Sequence, residues 1–101
     1  MKNILLMCSA GMSTSIMVRK MIEAAAEINA DVAIKAIPEQ QLNDHLVGTD
    51  IILLGPQVRF LLDKVQSAAK DIPVRVIDTL DYGTMNGEKI LRQALAILGD
   101  D

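Results

Sequence analysis

The sequence predicts an α/β fold: three layers, with a four-stranded parallel sheet in the order 2-1-3-4 and helices on both faces. Three observations predict it. Short apolar runs alternate with longer segments of helical period, four times over. Two of the runs, NILLM at residues 3–7 and DIILL at 50–54, are almost wholly apolar, as strands buried on both faces are. The other two, DVAIKAI at 31–37 and PVRVID at 73–78, carry Lys35 and Arg75, as edge strands often do. Right-handed crossovers between neighbours then give the order 2-1-3-4.

The elements follow in turn. Residues 3–7 form the first strand. Residues 13–28 form a helix, with Ile16, Met17, Met21, Ile22, Ala25 and Ala26 near helical spacing and Arg19, Lys20, Glu23 and Glu27 on the other face. The second strand, 31–37, stops at Pro38. Residues 39–46 are polar and suit a short helix. The third strand closes at Gly55-Pro56, and 57–70 reads as one amphipathic helix with Val58, Leu61, Leu62, Val65 and Ala69 inward. After the fourth strand, DTLDYGTMNG reads as a loop, and 87–98 is the closing helix. No repeat, linker or low-complexity segment interrupts the pattern, so residues 1–101 read as a single domain.

Composition narrows the function. The chain has 101 residues, a net charge of −3 and a hydrophobic content of 50%. That suits one soluble domain with a real core. Lys and Arg are scattered, and the only aromatics are Phe60 and Tyr82. A nucleic-acid binder, which needs a basic patch or stacking platforms, is disfavoured. One cysteine cannot form an internal disulfide, which fits a reducing, cytoplasmic setting. The start, MKNILLMC, has an apolar run of only four residues, where a secretory signal needs roughly seven to fifteen. A lipoprotein signal wants a small residue before the cysteine, and Met7 stands there. No window reaches the ~18 apolar residues of a membrane span.

The candidate site is CSAGMSTS, residues 8–15, which holds that one cysteine. Cys8 ends the first strand, beside the point where the strand order reverses, and ligands of open α/β sheets bind there. A cysteine feeding a helix N-terminus lies in the positive field of unpaired N–H groups, which lowers a thiol pKa from ~8.5 to between ~3.5 and 7.5. The same N–H groups can hold a phosphate on that sulfur. Gly11 lets backbone approach the ligand. Ser9, Ser13, Thr14 and Ser15 add hydroxyl donors or cap the helix. Each feature has a plainer reading: a lone cysteine is often a small buried hydrophobe, and hydroxyls after a strand are often caps. The conjunction of strand end, switch point, glycine and four hydroxyls favours a functional Cys8.

Other chemistries fit less well. His45, the single histidine, reads as a surface residue, so a cysteine hydrolase lacks its base. No cluster of metal ligands and no Cys-x-x-Cys pair is present, so neither a metal nor a redox cofactor is expected. A phospho-receiver needs an acidic pair after the first strand and Asp at the end of the third; Cys8-Ser9 and Gly55 stand there. A flavin-binding module of flavodoxin-like shape would want aromatic stacking. The sharpest alternative is the low-molecular-weight tyrosine phosphatase, with its arsenate reductase relatives, which shares this architecture. Its loop is Cys, five residues, then Arg, but Thr14 occupies the arginine position here. That arginine would clamp the equatorial oxygens and speed phosphoryl transfer. Without it the loop can hold a phosphocysteine and hydrolyse it poorly, as a carrier requires.

The chain resembles enzyme IIB of the lactose/cellobiose (chitobiose) class of the bacterial phosphoenolpyruvate-dependent sugar phosphotransferase system. The resemblance covers the whole length. It rests on CSAGMSTS at 8–15, on LLGPQ at 53–57, and on VID at 76–78 followed by Tyr82-Gly83. It implies that Cys8 accepts a phosphoryl group from a phosphohistidine of enzyme IIA, that the loop of Ser9, Ala10, Gly11, Met12, Ser13, Thr14 and Ser15 holds it, and that a sugar bound by the membrane enzyme IIC takes it. A monomer docking to the membrane through enzyme IIC is the expected form. The free-standing domain favours cellobiose or chitobiose over lactose.

Further positions are weighed beside the loop. Gln57 and residues 78–83 follow the third and fourth strands and reach the same rim. Gln57, Tyr82 and Gly83 are therefore candidate rim or partner contacts, with a packing role as the plainer reading of Tyr82. Asp81 reads as a turn carboxylate. Met12 reads equally as a partner contact or as core.

Overall fold

The computed structural model describes residues 1–7 and 11–99, with the side chains of 11–14 outside that description. Strands β1 (Lys2–Met7), β2 (Val32–Ile37), β3 (Ile51–Leu54) and β4 (Val74–Val76) form one parallel sheet in the order β2-β1-β3-β4. This is the predicted order. Register aligns the carboxyl ends: Met7 lies opposite Ile37 on one side and Leu54 on the other, and Leu54 lies opposite Val76. The carboxyl ends of all four strands therefore lie along one rim.

Period-two alternation divides the central strands between two cores. Ile4, Leu6, Ile51 and Leu53 face a cluster with helices α1 (Gly11–Glu27), α3 (Thr79–Gly83) and α4 (Gly87–Ile97). Leu5, Met7, Ile52 and Leu54 face a second cluster with α2 (Leu62–Ala69) and two 3₁₀ helices, Glu39–His45 and Pro56–Leu61. Residues 4–7 and 51–54 are all buried, whereas Lys35 and Arg75 point to solvent from the edges. The contrast that set the strand order in sequence is thus the contrast in burial.

Three local features depart from the sequence reading. Residues 57–70 are not one helix. Pro56 opens a 3₁₀ helix, Val58 leaves helical dihedrals (φ −117°, ψ 22°), and regular α-helix begins only at Leu62. Val58 still turns its side chain into the second core, as the sequence predicts, but from outside helical dihedrals. The DTLDYGTMNG stretch is not simply a loop either. The Asp78 carboxylate accepts hydrogen bonds from the Leu80 and Asp81 N–H groups (3.0 and 3.2 Å) and caps the short helix α3.

The third departure is in α1. Met17, Met21, Ala24 and Ala25 are the buried positions, while Ile16, Ile22 and Ala26 are exposed. α1 also lies very close to α4. A Cβ placed on Gly87 of α4 would stand 2.7 Å from the Lys20 carbonyl carbon and 2.8 Å from the Met21 nitrogen. The two helices therefore meet almost backbone to backbone beside Met21, one of the buried positions.

Candidate functional site

Cys8, Ser9 and Ala10 lie outside the described residues, as do the side chains of Gly11, Met12, Ser13 and Thr14. The flanks define what surrounds the segment. β1 ends at Met7, 1% exposed, in the middle of the sheet. α1 opens at Gly11 and runs 17 residues with no acidic side chain in its first turn. Its positive N-terminal end therefore faces the segment without compensation from a carboxylate in that turn.

The rim beside Met7 is held by backbone. The Gly55 N–H donates to the Met7 carbonyl at 2.9 Å, and the Ile77 N–H donates to the Leu54 carbonyl at 2.8 Å. Each bond carries the ladder one residue past the strand and ties three neighbouring strand ends together. Gln57 sits just beyond, exposed, in the second 3₁₀ helix. Gly83 is exposed at the end of α3. Ser15 is exposed in the second turn of α1. Tyr82 belongs to the first core at 5% exposure, so its ring packs inside the protein and does not lie open on the rim.

Asp81, a turn carboxylate by sequence, is a buried member of α3. It is buried at 3% exposure, with Oδ1 paired to Lys89 Nζ at 3.2 Å and Oδ2 without a hydrogen-bond partner. Its partner stands eight residues on, in a different helix, beyond the reach of any local pattern. Asp78 in the cap position was the one sequence signal that could have located α3.

His45 closes the first 3₁₀ helix, where it borders a groove with Asn3 and Gly48. Asn3 lies four residues from Met7 along β1, a separation of about 13 Å at the strand rise. The histidine is thus at the opposite end of the sheet from the segment that holds Cys8, where it cannot serve that thiol as a base.

Comparison with known proteins decides the family. The family model described as "PTS system, Lactose/Cellobiose specific IIB subunit" matches residues 3–93. The chain belongs to this IIB family. Among curated relatives, the oligo-beta-mannoside-specific EIIB component of Bacillus subtilis is 41% identical over 97% of both chains. The galactose-specific EIIB component of Lactococcus lactis subsp. cremoris is 44% identical over 92% of this chain and 93% of that one. The cellobiose-specific EIIB component of Lactococcus lactis subsp. lactis is 43% identical over the same shares.

Solved structures agree. A cellobiose-specific IIB component from Borrelia burgdorferi superposes with a TM-score of 0.78 at 43% identity, over 94% of this chain and 89% of that one. A lactose-specific IIB domain from Streptococcus pneumoniae, at 19% identity, shares the fold with a TM-score of 0.84 over 94% and 95%. EIIB components are phosphotransferases of sugar transport and work with IIA and IIC partners. A phosphatase or arsenate reductase reading is not favoured. No helix among the described residues is long and apolar enough to cross a membrane.

Proposed function

We propose that this IIB component carries its phosphoryl group on Cys8. The observation that supports the reading most is positional. The one cysteine of the chain falls between a buried strand end at Met7 and a helix N-terminus at Gly11 whose first turn holds no carboxylate. A thiolate and a bound phosphate are both stabilised in such a field.

The transfer runs in two displacements. The Cys8 thiolate attacks the phosphorus of a phosphohistidine on enzyme IIA, in line with the leaving imidazole. The S–P bond forms, the P–N bond breaks, and the electron pair stays on the imidazole nitrogen. Backbone N–H groups and hydroxyls of residues 9–15 neutralise the equatorial oxygens as charge spreads over them. A sugar hydroxyl on enzyme IIC then attacks the same phosphorus. The O–P bond forms, the S–P bond breaks, the thiolate is released, and the hydroxyl proton passes to a base or solvent.

The sugar is proposed to be of the cellobiose or chitobiose kind. The three relatives take their names from oligo-beta-mannoside, galactose and cellobiose while sharing 41–44% identity with this chain. This spread of names at similar identity supports placing the choice of sugar in the membrane partner. Gln57 and Gly83 are proposed as rim contacts. The chain is proposed to act as a single cytoplasmic domain spanning residues 1–101, monomeric and docking at the membrane through enzyme IIC.

Reconstituted transport tests the reading. Membrane vesicles bearing the cognate enzyme IIC, phosphoenolpyruvate, enzyme I, the histidine phosphocarrier protein and enzyme IIA should form cellobiose phosphate only when the chain is added. Cys8→Ala should abolish the product. Product formation at the native rate by Cys8→Ala would rule out the cysteine as carrier.

A further inference from the structure

Two large apolar side chains stand open at the rim: Phe60, 77% exposed in the second 3₁₀ helix after β3, and Leu80, 70% exposed in α3 after β4. Beside Phe60 runs a groove of about 190 Å³. Met7 lines it from β1, Pro38 and Gln40 from the segment after β2, and Val58 and Phe60 from the segment after β3. Cys8 follows Met7 directly in the chain, so one peptide bond separates the candidate nucleophile from the groove.

We propose that Phe60 and this groove seat an apolar side chain of the phosphoryl-donor protein. The inference rests on the carrier reading of Cys8. The donor's phosphate is borne on a histidine, a short side chain, so the donor's surface must lie against the rim for phosphorus to reach sulfur. A standard interface takes ~800 Å² from each partner, a disc of roughly 16 Å radius. Any such disc centred beside Met7 covers a groove that Met7 itself lines. Aromatic residues at the centre of an interface carry a large share of its energy when they fill or border a pocket and a polar rim keeps water out. The polar rim is present. Glu39 at the groove's edge is ion-paired to Lys64 at 2.6 Å, and Gln40 stands beside it. Phe60 is the exposed aromatic of the chain, since Tyr82 is buried.

Val47 provides the control. It is 99% exposed, but it precedes β3 and so lies at the far end of the sheet. Steady-state phosphorylation of the purified chain by phosphorylated enzyme IIA is measured for the wild type, Phe60→Ala, Phe60→Leu and Val47→Ala. Thiol alkylation by iodoacetamide is followed in parallel. Phe60→Ala should raise the KM for the donor about tenfold and leave kcat within about twofold. Phe60→Leu should recover most of the loss, and Val47→Ala should match the wild type. Alkylation rates should be equal throughout, because the thiol itself is untouched.

An unchanged donor KM in Phe60→Ala would overturn the inference, as would an equal loss in Val47→Ala. So would a loss confined to transfer from the phosphorylated chain to enzyme IIC, which would assign the groove to the acceptor. A wild-type chain that takes no phosphoryl group overturns the carrier reading itself, and this inference with it.

Discussion

The backbone N–H of Gly55 donates to the carbonyl of Met7 across 2.9 Å, fixing the end of β3 against the residue that precedes Cys8. Gly55 is buried, with φ −61° and ψ 152°. Those angles suit proline, which lacks the donor. Gly55→Pro should therefore leave the Met7 carbonyl unpaired in the interior, and the ring adds bulk at a buried position. A loss of about 1–3 kcal/mol is expected, read as a lower urea midpoint at unchanged slope. Gly55→Ala keeps the N–H and should lose less; equal losses in the two variants would show that bulk, and not the hydrogen bond, governs the position.

Asp81 and Lys89 form a second coupling, between α3 and α4. Removing the cation leaves a buried carboxylate with one oxygen already unpartnered. A fully buried pair loses about 3–5 kcal/mol when one member is deleted. The Lys89 side chain is 54% exposed, so solvent screens part of that cost, and Lys89→Met should lose about 1–2 kcal/mol. Asp81→Asn/Lys89→Met should be more stable than Lys89→Met alone, because the stranded charge is gone. Additive losses in a double-mutant cycle would show that the pair is not coupled.

Gly87 opens α4 where it meets α1. Its conformation is available to other residues; the constraint is space, since the obstructing atoms are the Lys20 carbonyl carbon and Cβ and the Met21 nitrogen. Gly87→Ala should force the two helices apart and cost about 1–3 kcal/mol. Gly83→Ala is the matched control, because nothing stands within 4 Å of a Cβ there. It should be near neutral or slightly stabilising by thermal unfolding, since Ala restricts the unfolded chain; a loss as large as that of Gly87→Ala would show that the α1–α4 contact does not set the cost.

Strand order was legible because burial on two faces writes itself directly into composition: Ile4–Met7 and Ile51–Leu54 have no polar member, and Lys35 and Arg75 mark the edges. The candidate nucleophile was legible for a related reason, since strand end, glycine and hydroxyls are adjacent in the chain. What escaped depends on pairs distant in sequence or on packing. Which face of α1 is buried, and how closely Gly87 approaches it, depends on packing against α4 that the period of α1 does not report. Asp81 reads only as a turn carboxylate because the cation that accompanies its burial lies in the next helix. The break at Val58 is hidden because Val58 faces the core in the helical reading and in the 3₁₀ turn alike. Phe60 stands within an amphipathic run whose period says which residues face inward and nothing of what an outward aromatic touches.

The central claim is that the phosphoryl group resides on Cys8. Intact mass after incubation with phosphoenolpyruvate, enzyme I, the histidine phosphocarrier protein and enzyme IIA tests it most directly, with peptide mapping of the product. The native chain should gain one phosphoryl group (~80 Da), mapped to the peptide that contains Cys8 and stable for minutes without sugar, in keeping with a loop that lacks the arginine of a phosphatase. Cys8→Ser should gain no such labile group. A gain that persists in Cys8→Ser, or that maps to His45, would contradict the account.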